Sequence, residues 1–325
     1  MVNFPGALTD EPLAKHTSWH IGGPAKFFLT AKTADQILAA VQAAEEQKIP
    51  WQIIGGGTNI LAADQGFDGL IIQAANNSFS VADGVIMAEA GALTALVARQ
   101  AAAAGLYGFE WAATIPGTVG GAIFGNAGCF GGEMKDAVMS VDAWRIKDHQ
   151  RVKLSNKDCQ FGYRESLFKR EPHIILGCEL KLTKPPLLPE GEQEGVGVAA
   201  VQNKIAEFLA KRQESQPAGE SSAGSVFKNF DFKNDSELEI LKHSVEIPAA
   251  MLAQKRIAAG WLVEQVGMKG YRIGRVRVSE KHGNFFLAEP GARAHDVLAL
   301  ISYVKMKVRD ELGIELQEEI QYLGF

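Results

Sequence analysis

The chain has 325 residues, 46% of them hydrophobic and 22% charged, and a formal net charge of −5. That length exceeds what one hydrophobic core usually supports, so two or three subdomains are expected, each burying its own core. The acidic balance argues against general nucleic-acid binding, no apolar run reaches membrane-spanning length, and residues 1–15 lack the basic start and apolar stretch of a secretory signal, so a cytoplasmic protein is expected, with neither a nucleic-acid nor a membrane partner.

In chain order, His16 and His20 are four apart, a spacing that on a helix would offer two imidazoles to a metal. Thr17-Ser18-Trp19 between them and Gly22-Gly23-Pro24 after them read instead as a turn into a strand at 26–30, and no metal site is expected. Thr33 opens an amphipathic helix, with Gln36 completing a capping box and Ile37, Leu38, Val41 and Ala44 forming the apolar stripe. A buried strand at 50–54 runs directly into Gly55-Gly56-Gly57-Thr58-Asn59. Successive N–H groups exposed by glycines make an anion-binding concavity, to which Thr58 and Asn59 can add side-chain hydrogen bonds. The Rossmann fingerprint fails, because Ile60 stands where the third glycine belongs, and the Gly-Lys of a P-loop occurs nowhere. A strand at 69–73 follows, and Ala74-Ala75-Asn76-Asn77-Ser78 reads as a first boundary.

The next lobe offers a strand at 85–89 and an alanine-rich helix at 94–104 stopped by Gly105. Then comes Ile115-Pro116-Gly117-Thr118-Val119-Gly120-Gly121-Ala122-Ile123-Phe124-Gly125-Asn126-Ala127-Gly128, with five glycines in fourteen residues and no charge. Glycine lets a main chain approach a ligand, and Pro116 limits the entropy lost on ordering. By itself the segment suits tight turns between buried strands and a ligand loop equally well. Two glycine loops in one chain suit a diphosphate-bridged cofactor, and with the Rossmann spacing broken a flavin dinucleotide is favoured. Strands at 139–147 and 173–182 flank Tyr163-Arg164-Glu165-Ser166. Cys129, Cys159 and Cys178 form no C-x-x-C pair and read as reduced thiols in packed surroundings.

The Pro-, Gly- and Glu-rich stretch 187–197 reads as an exposed linker and second boundary. Beyond it are a helix at 199–214, a Gly/Ser-rich exit at 219–224, a helix at 258–266, a strand at 274–279 and a long helix at 295–312. Val297, Leu298, Ile301, Val304, Val308 and Leu312 stripe the last helix, and Gly313 caps it. Strands and helices without regular alternation point to α+β lobes, at 1–73, 74–190 and 191–325. Residues 255–281 carry seven Lys/Arg against Glu264 and Glu280, an excess suited to a diphosphate or to a plain solvated strand face carrying Arg275 and Arg277.

Six ordered segments together carry a family resemblance: 55–61, 115–128, Tyr163-Arg164-Glu165-Ser166, Ser222-Ala223-Gly224-Ser225-Val226-Phe227-Lys228-Asn229, Ala259-Gly260-Trp261-Leu262-Val263-Glu264-Gln265 and Ser279-Glu280-Lys281-His282. The chain resembles the UDP-N-acetylenolpyruvoylglucosamine reductases, the MurB family. The resemblance implies a vanillyl-alcohol-oxidase-type (PCMH-type) FAD-binding domain of two lobes, 1–73 and 74–190, and a C-terminal α+β domain, 191–325, for a UDP-sugar. It implies non-covalent FAD held by Gly55, Gly56, Gly57, Thr58, Asn59, Ile115, Pro116, Gly117, Thr118, Gly120, Gly121, Asn126 and Gly128. It also implies a monomer in the bacterial cytoplasm that makes UDP-N-acetylmuramate for peptidoglycan. NADPH reduces the flavin, whose N5 then delivers hydride to C3 of the enolpyruvyl ether, and a proton is added at C2.

Three residues match catalytic positions of that family. Arg164 would pair with the substrate carboxylate as charge accumulates there, although from the residues alone it is a surface arginine in a charged turn. Ser225 would donate the proton, although it is one more serine in a serine-rich turn. Glu319 would orient or protonate the intermediate, with Glu318 as competitor, although alternation places Glu315, Gln317, Glu319 and Gln321 on one solvent face. Tyr163, Lys228, Asn229, Gln265 and His282 match substrate-binding positions. Thr58 replaces the usual serine, His20 a longer basic residue and Phe230 a proline. Phe130-Gly131-Gly132-Glu133 in place of Tyr-Gly-Gly-Glu suggests the shorter family variant, without an extra tyrosine-bearing loop. The competing functions are a sugar or lactone oxidase of the same cofactor fold and a non-catalytic nucleotide-binding module.

Overall fold

The structure, a computed structural model, describes residues 4–183 and 194–325. Among these the chain forms two compact units, each assembled from separated segments: Met1–Thr9, Phe27–Gly56 and Gly69–Glu214 in the first, Asp10–Lys26, Gly57–Asp68 and Ser215–Phe325 in the second.

The first unit holds two hydrophobic cores. In one, the helix Ala34–Glu46 buries Ile37, Ala40, Val41 and Ala44 together with Leu70 and Ile72 of the strand Phe67–Ala74. Its start follows the expected chemistry, since Thr33 Oγ1 accepts from the Gln36 N–H at 3.1 Å. The Gln36 side chain reaches back one residue further than a simple box, accepting from the Lys32 N–H at 2.7 Å. The strand lies second in a four-stranded sheet, ordered Trp51–Ile54, Phe67–Ala74, Pro24–Ala31, Leu8–Pro12, whose first pair is parallel.

The other core lies against an antiparallel five-stranded sheet, ordered Gln150–Ser155, Val138–Arg145, His173–Lys181, Val85–Glu89, Phe79–Ala82. The helix Thr94–Ala103 joins it through Val97, Ala98, Ala101 and Ala102, where small side chains permit close packing. Val201, Ile205 and Phe208 of the helix Glu194–Ser215 close the same core. That helix starts earlier than the sequence predicts, and residues 187–193 of the expected linker lie outside those described.

The second unit is built on the helix Ala294–Leu312, whose Val297, Leu300, Ile301, Val304, Val308 and Leu312 face its core. Gly313 ends it in the left-handed conformation at φ 70°. Its first turn is capped from far away: Asp64 accepts from the Ala294 and His295 N–H groups at 2.8 and 3.1 Å. The short strands Arg272–Ile273, Val276–Val278 and Phe286–Ala288 form a meander, and Ile60–Ala62 pairs in parallel with Gln321–Leu323.

Among the described residues there are three cores, but they do not follow consecutive stretches of chain. The strand His173–Lys181 serves two of them across an irregularity in its register opposite Asp142 and Ala143, with Ile174 and Leu176 in the core of the helix Ala34–Glu46, and Cys178 and Leu180 in that of the five-stranded sheet. Trp19, Ile21 and Leu61 belong to the core of the second unit, where Trp19 Nε1 donates to the Phe286 carbonyl at 2.9 Å. The compact units consequently differ from cuts after 73 and 190. No helix among the described residues is long and apolar enough to cross a membrane.

Candidate active site

In the first unit the two glycine segments meet. A Cβ on Gly55 would run into the Thr118 hydroxyl, so the turn leaving the strand Trp51–Ile54 lies directly on the residue that starts the second segment's folding. That segment is not extended throughout: Val119–Phe124 forms a short helix, with Thr118 Oγ1 accepting from the Gly121 N–H at 3.4 Å. Gly117 turns the chain into it at φ 97°. The glycines divide by use. A Cβ on Gly120 would lie 2.9 Å from that of Ala90, and one on Gly128 would meet the strand Gly132–Glu133, so these two serve the protein's own packing. Gly56, Pro116 and Gly121 are exposed and Gly117 is half-buried.

Asn126 is wholly buried, and its amide is used internally. Nδ2 donates to the Gly162 carbonyl at 2.7 Å and to Glu133 Oε2 at 3.0 Å, while Oδ1 accepts from the Lys135 N–H at 3.0 Å. The side chain ties the glycine segment to the turn that carries Arg164.

That turn closes through reciprocal bonds between the backbones of Gly162 and Glu165, at 2.9 and 3.1 Å. Tyr163 and Arg164 occupy its two central positions, and Arg164 sits at φ 55°, a left-handed conformation that costs a non-glycine residue about 1–2 kcal/mol. The surroundings hold it there. Lys169 Nζ donates to the Arg164 carbonyl at 2.7 Å, Ser166 Oγ to the Phe124 carbonyl at 2.7 Å, and the guanidinium donates to the Gly128 carbonyl at 2.9 Å while lying over the Tyr163 ring. A charged side chain is thus fixed at the end of the glycine segment rather than trailing in solvent.

The second unit brings together Asn59, Ser225 and Glu319. The segment 225–228 runs antiparallel to 317–319: the Glu319 N–H donates to the Val226 carbonyl at 2.7 Å and the Lys228 N–H to the Gln317 carbonyl at 2.8 Å. Asn59 Nδ2 donates to the Glu319 carbonyl at 3.1 Å, and the Gln321 N–H to the Asn59 carbonyl at 2.9 Å. The side-chain amide of Asn59 therefore holds the glutamate's main chain. Just before it, Gly57 adopts φ 63° where a Cβ would collide with the His16 carbonyl, and Thr58 is half-buried. The expected solvent face breaks here, because Glu319 is half-buried. Its rival Glu318 accepts from Lys305 Nζ at 2.6 Å on the long helix.

Among the remaining expected residues, Asn229 Oδ1 accepts from the Ala259 N–H at 3.1 Å at the start of the helix Ala259–Gln265, and Gln265 is exposed at its other end. His282 is half-buried with its ring against Gly260, and Nδ1 accepts from the Asn284 N–H at 3.1 Å. Burial pushes this imidazole below the usual histidine range, favouring the neutral form. The local basic excess is largely answered by acids outside the segment: Arg256 pairs with Asp231, Arg272 with Glu289 and Arg277 with Glu220. His16 pairs with Glu11 and His20 with Ser221. Among the described residues no three His, Cys, Asp or Glu side chains gather to hold a metal. The cysteines are free thiols, Cys159 and Cys178 buried and Cys129 half-buried.

Sequence reasoning passed over Lys169, Lys305 and Asn284, whose partners here are segments remote in the chain or turned by the fold. The only sequence sign of Asn284 is a lone polar residue inside Gly283-Asn284-Phe285-Phe286-Leu287.

Residues 216–323 match the family described as "UDP-N-acetylenolpyruvoylglucosamine reductase, C-terminal domain", and residues 25–154 match an "FAD binding domain". The UDP-N-acetylenolpyruvoylglucosamine reductase of Chloroflexus aurantiacus is 37% identical over 321 residues, covering 97% of this chain and 96% of its own. That of Caldanaerobacter subterraneus is 34% identical over 316 residues, covering 97% and 93%. The crystal structure of the Thermus caldophilus enzyme superposes with a TM-score of 0.73 at 29% identity, covering 96% of this chain and 97% of that one. The fold is accordingly α+β, with a vanillyl-alcohol-oxidase-type FAD-binding domain followed by a C-terminal domain of the reductase type. From these matches over nearly its whole length, the chain belongs to the UDP-N-acetylenolpyruvoylglucosamine reductase family.

Proposed function

We propose that the protein reduces UDP-N-acetylglucosamine enolpyruvate to UDP-N-acetylmuramate with electrons from NADPH, as a monomer in the bacterial cytoplasm with neither nucleic-acid nor membrane partner, and that Arg164, Ser225 and Glu319 carry the chemistry. It is an FAD-dependent oxidoreductase of peptidoglycan precursor synthesis. Non-covalent FAD fits the first unit, because the absent side chain of Gly55 sets one glycine turn against the Thr118 hydroxyl while Gly56, Pro116 and Gly121 are exposed and Gly117 is half-buried. Ile115 continues that binding surface, and Gly120, Gly128 and Asn126 support it from within; Gly57, Thr58 and Asn59 also bind FAD in this reading. FAD bound there would supply the carrier for hydride between NADPH and C3 of the enolpyruvyl group.

The observation that carries the assignment of roles is the stitching of Ser225 and Glu319 into one pair of backbone segments. As hydride reaches C3, the electron pair of the double bond moves to C2 and into the carboxylate. Arg164, held charged in a strained turn, stabilises that carboxylate. The Ser225 hydroxyl gives its proton to C2, and Glu319 helps to orient or protonate the intermediate. Tyr163, Lys228, Asn229, Gln265 and His282 bind the UDP-sugar; apart from Tyr163 and Arg164, residues 1–190 serve the cofactor and 191–325 the substrate. The hairpin Gly128–Cys129 and Gly132–Glu133 closes in two residues, which supports the shorter family variant.

Ser225→Ala separates the halves. Flavin reduction by NADPH is expected to stay within about twofold of the parent, while reoxidation by the enolpyruvyl UDP-sugar slows by about 10²-fold or more. Equal damage to both halves contradicts a proton donor.

A further inference from the structure

Asn284 is 3% exposed, and all of its hydrogen-bonding capacity that the structure records on the Ser225 side is spent on two residues. Its Oδ1 accepts from the Phe227 N–H at 2.8 Å and its Nδ2 donates to the Phe227 carbonyl at 2.8 Å. Its own carbonyl accepts from the Val226 N–H at 2.9 Å. A carboxamide carries a donor and an acceptor in the geometry of a peptide group, so this side chain acts as an extra rung of sheet. Phe285 extends the rung by bridging to Ser225, and the Phe227 ring, fully buried, packs edge-on against Phe286 at 5.8 Å.

The segment 225–228 is therefore gripped on one edge by Asn284 and on the other by 317–319. On the N-terminal side of Ser225, Gly224 takes φ 77° with nothing within 4 Å of where its Cβ would be, and its N–H donates to Ser222 Oγ at 3.2 Å. An apolar residue would fill the Asn284 site without the cost of burying an amide, so its use there is to hold main chain. We propose that Asn284 is the positioning residue for Ser225, fixing its hydroxyl at the distance from the substrate that proton transfer requires. This rests on Ser225 as proton donor.

The test uses the full chain loaded with FAD, with Asn284→Ala and Asn284→Asp made alone and with Ser225→Ala. Asn284→Asp keeps the acceptor for the Phe227 N–H and has no donor for its carbonyl. Displacing a reacting group by about 1 Å costs about 10²-fold, so reoxidation by the enolpyruvyl UDP-sugar is expected to slow by that factor in Asn284→Ala and by less in Asn284→Asp. Reduction by NADPH should stay within about twofold. Added to Ser225→Ala, the Asn284 substitution should cost no more than about threefold further, since a misplaced hydroxyl and an absent one are equivalent. Amide exchange across 225–228 should quicken in Asn284→Ala, with the rest of the chain unchanged. Losses that multiply in the double variant, equal slowing of both halves, or failure of both Asn284 variants to hold FAD would each overturn the inference. If Ser225→Ala is slow and Asn284→Ala fast, only this inference falls; if Ser225→Ala leaves reoxidation intact, the reading of Ser225 falls and this with it.

Discussion

The contact between Gly55 and Thr118 gives the cofactor account a sharp handle. Gly55 has an ordinary backbone, absent from the left-handed residues, so Gly55→Ala perturbs space alone. The new methyl would strike the Thr118 hydroxyl, while the Thr118 Cβ stays 3.5 Å away, an ordinary contact. Thr118 must rotate, giving up its hydrogen bond to the Gly121 N–H, about 1 kcal/mol for an N-cap, and accepting a poor rotamer, about another 1 kcal/mol. The resulting cost of about 2 kcal/mol corresponds to about a 30-fold weaker FAD affinity if this turn must be ordered to bind the cofactor. Thr118→Ala loses only the cap and should weaken FAD by about fivefold. In that background Gly55→Ala meets no hydroxyl and should cost nothing more. Flavin fluorescence titration of the deflavinated protein reads all four affinities. Full additivity would refute the contact as the cause, and an unchanged FAD affinity in Gly55→Ala would remove these turns from the cofactor site.

Asn126→Ala strips partners from the Gly162 carbonyl, Glu133 and the Lys135 N–H, and should cost about 3 kcal/mol or more in urea denaturation; a loss under about 1 kcal/mol contradicts its bracing role. Burial pushes the Cys159 thiol up to about 12, against about 8.5 in an unfolded chain. Between those values the unfolded chain sheds a proton that the folded chain keeps, so stability falls as pH rises above about 8.5, by up to about 1.4 kcal/mol per pH unit. Cys159→Ala should flatten that slope, with the remainder due to Cys178, which burial shifts in the same direction; an unchanged slope contradicts the assignment.

What the sequence reveals is local. The stripe from Val297 to Leu312, the closure at Gly313 and the Thr33 cap follow from periodicity and backbone stereochemistry, and the structure has each. What it conceals depends on partners far along the chain. The helix Val119–Phe124 forms against glycine's low propensity because Gly120 can lie on Ala90 and Thr118 can cap it. The Ala294 cap is Asp64, 230 residues away. Alternation around Glu319 reads as a solvent face until Lys305 draws off Glu318 and Asn59 and Val226 pin the Glu319 backbone. The basic excess of 255–281 looks like a phosphate site until Asp231, Glu220 and Glu289 answer it.

The most direct measurement of the central claim is an anaerobic titration of the purified, FAD-loaded protein followed at the flavin absorbance. NADPH should bleach the yellow protein, and a stoichiometric amount of UDP-N-acetylglucosamine enolpyruvate should restore the colour without oxygen. Failure of NADPH to bleach it, or recovery with oxygen alone, would contradict the account.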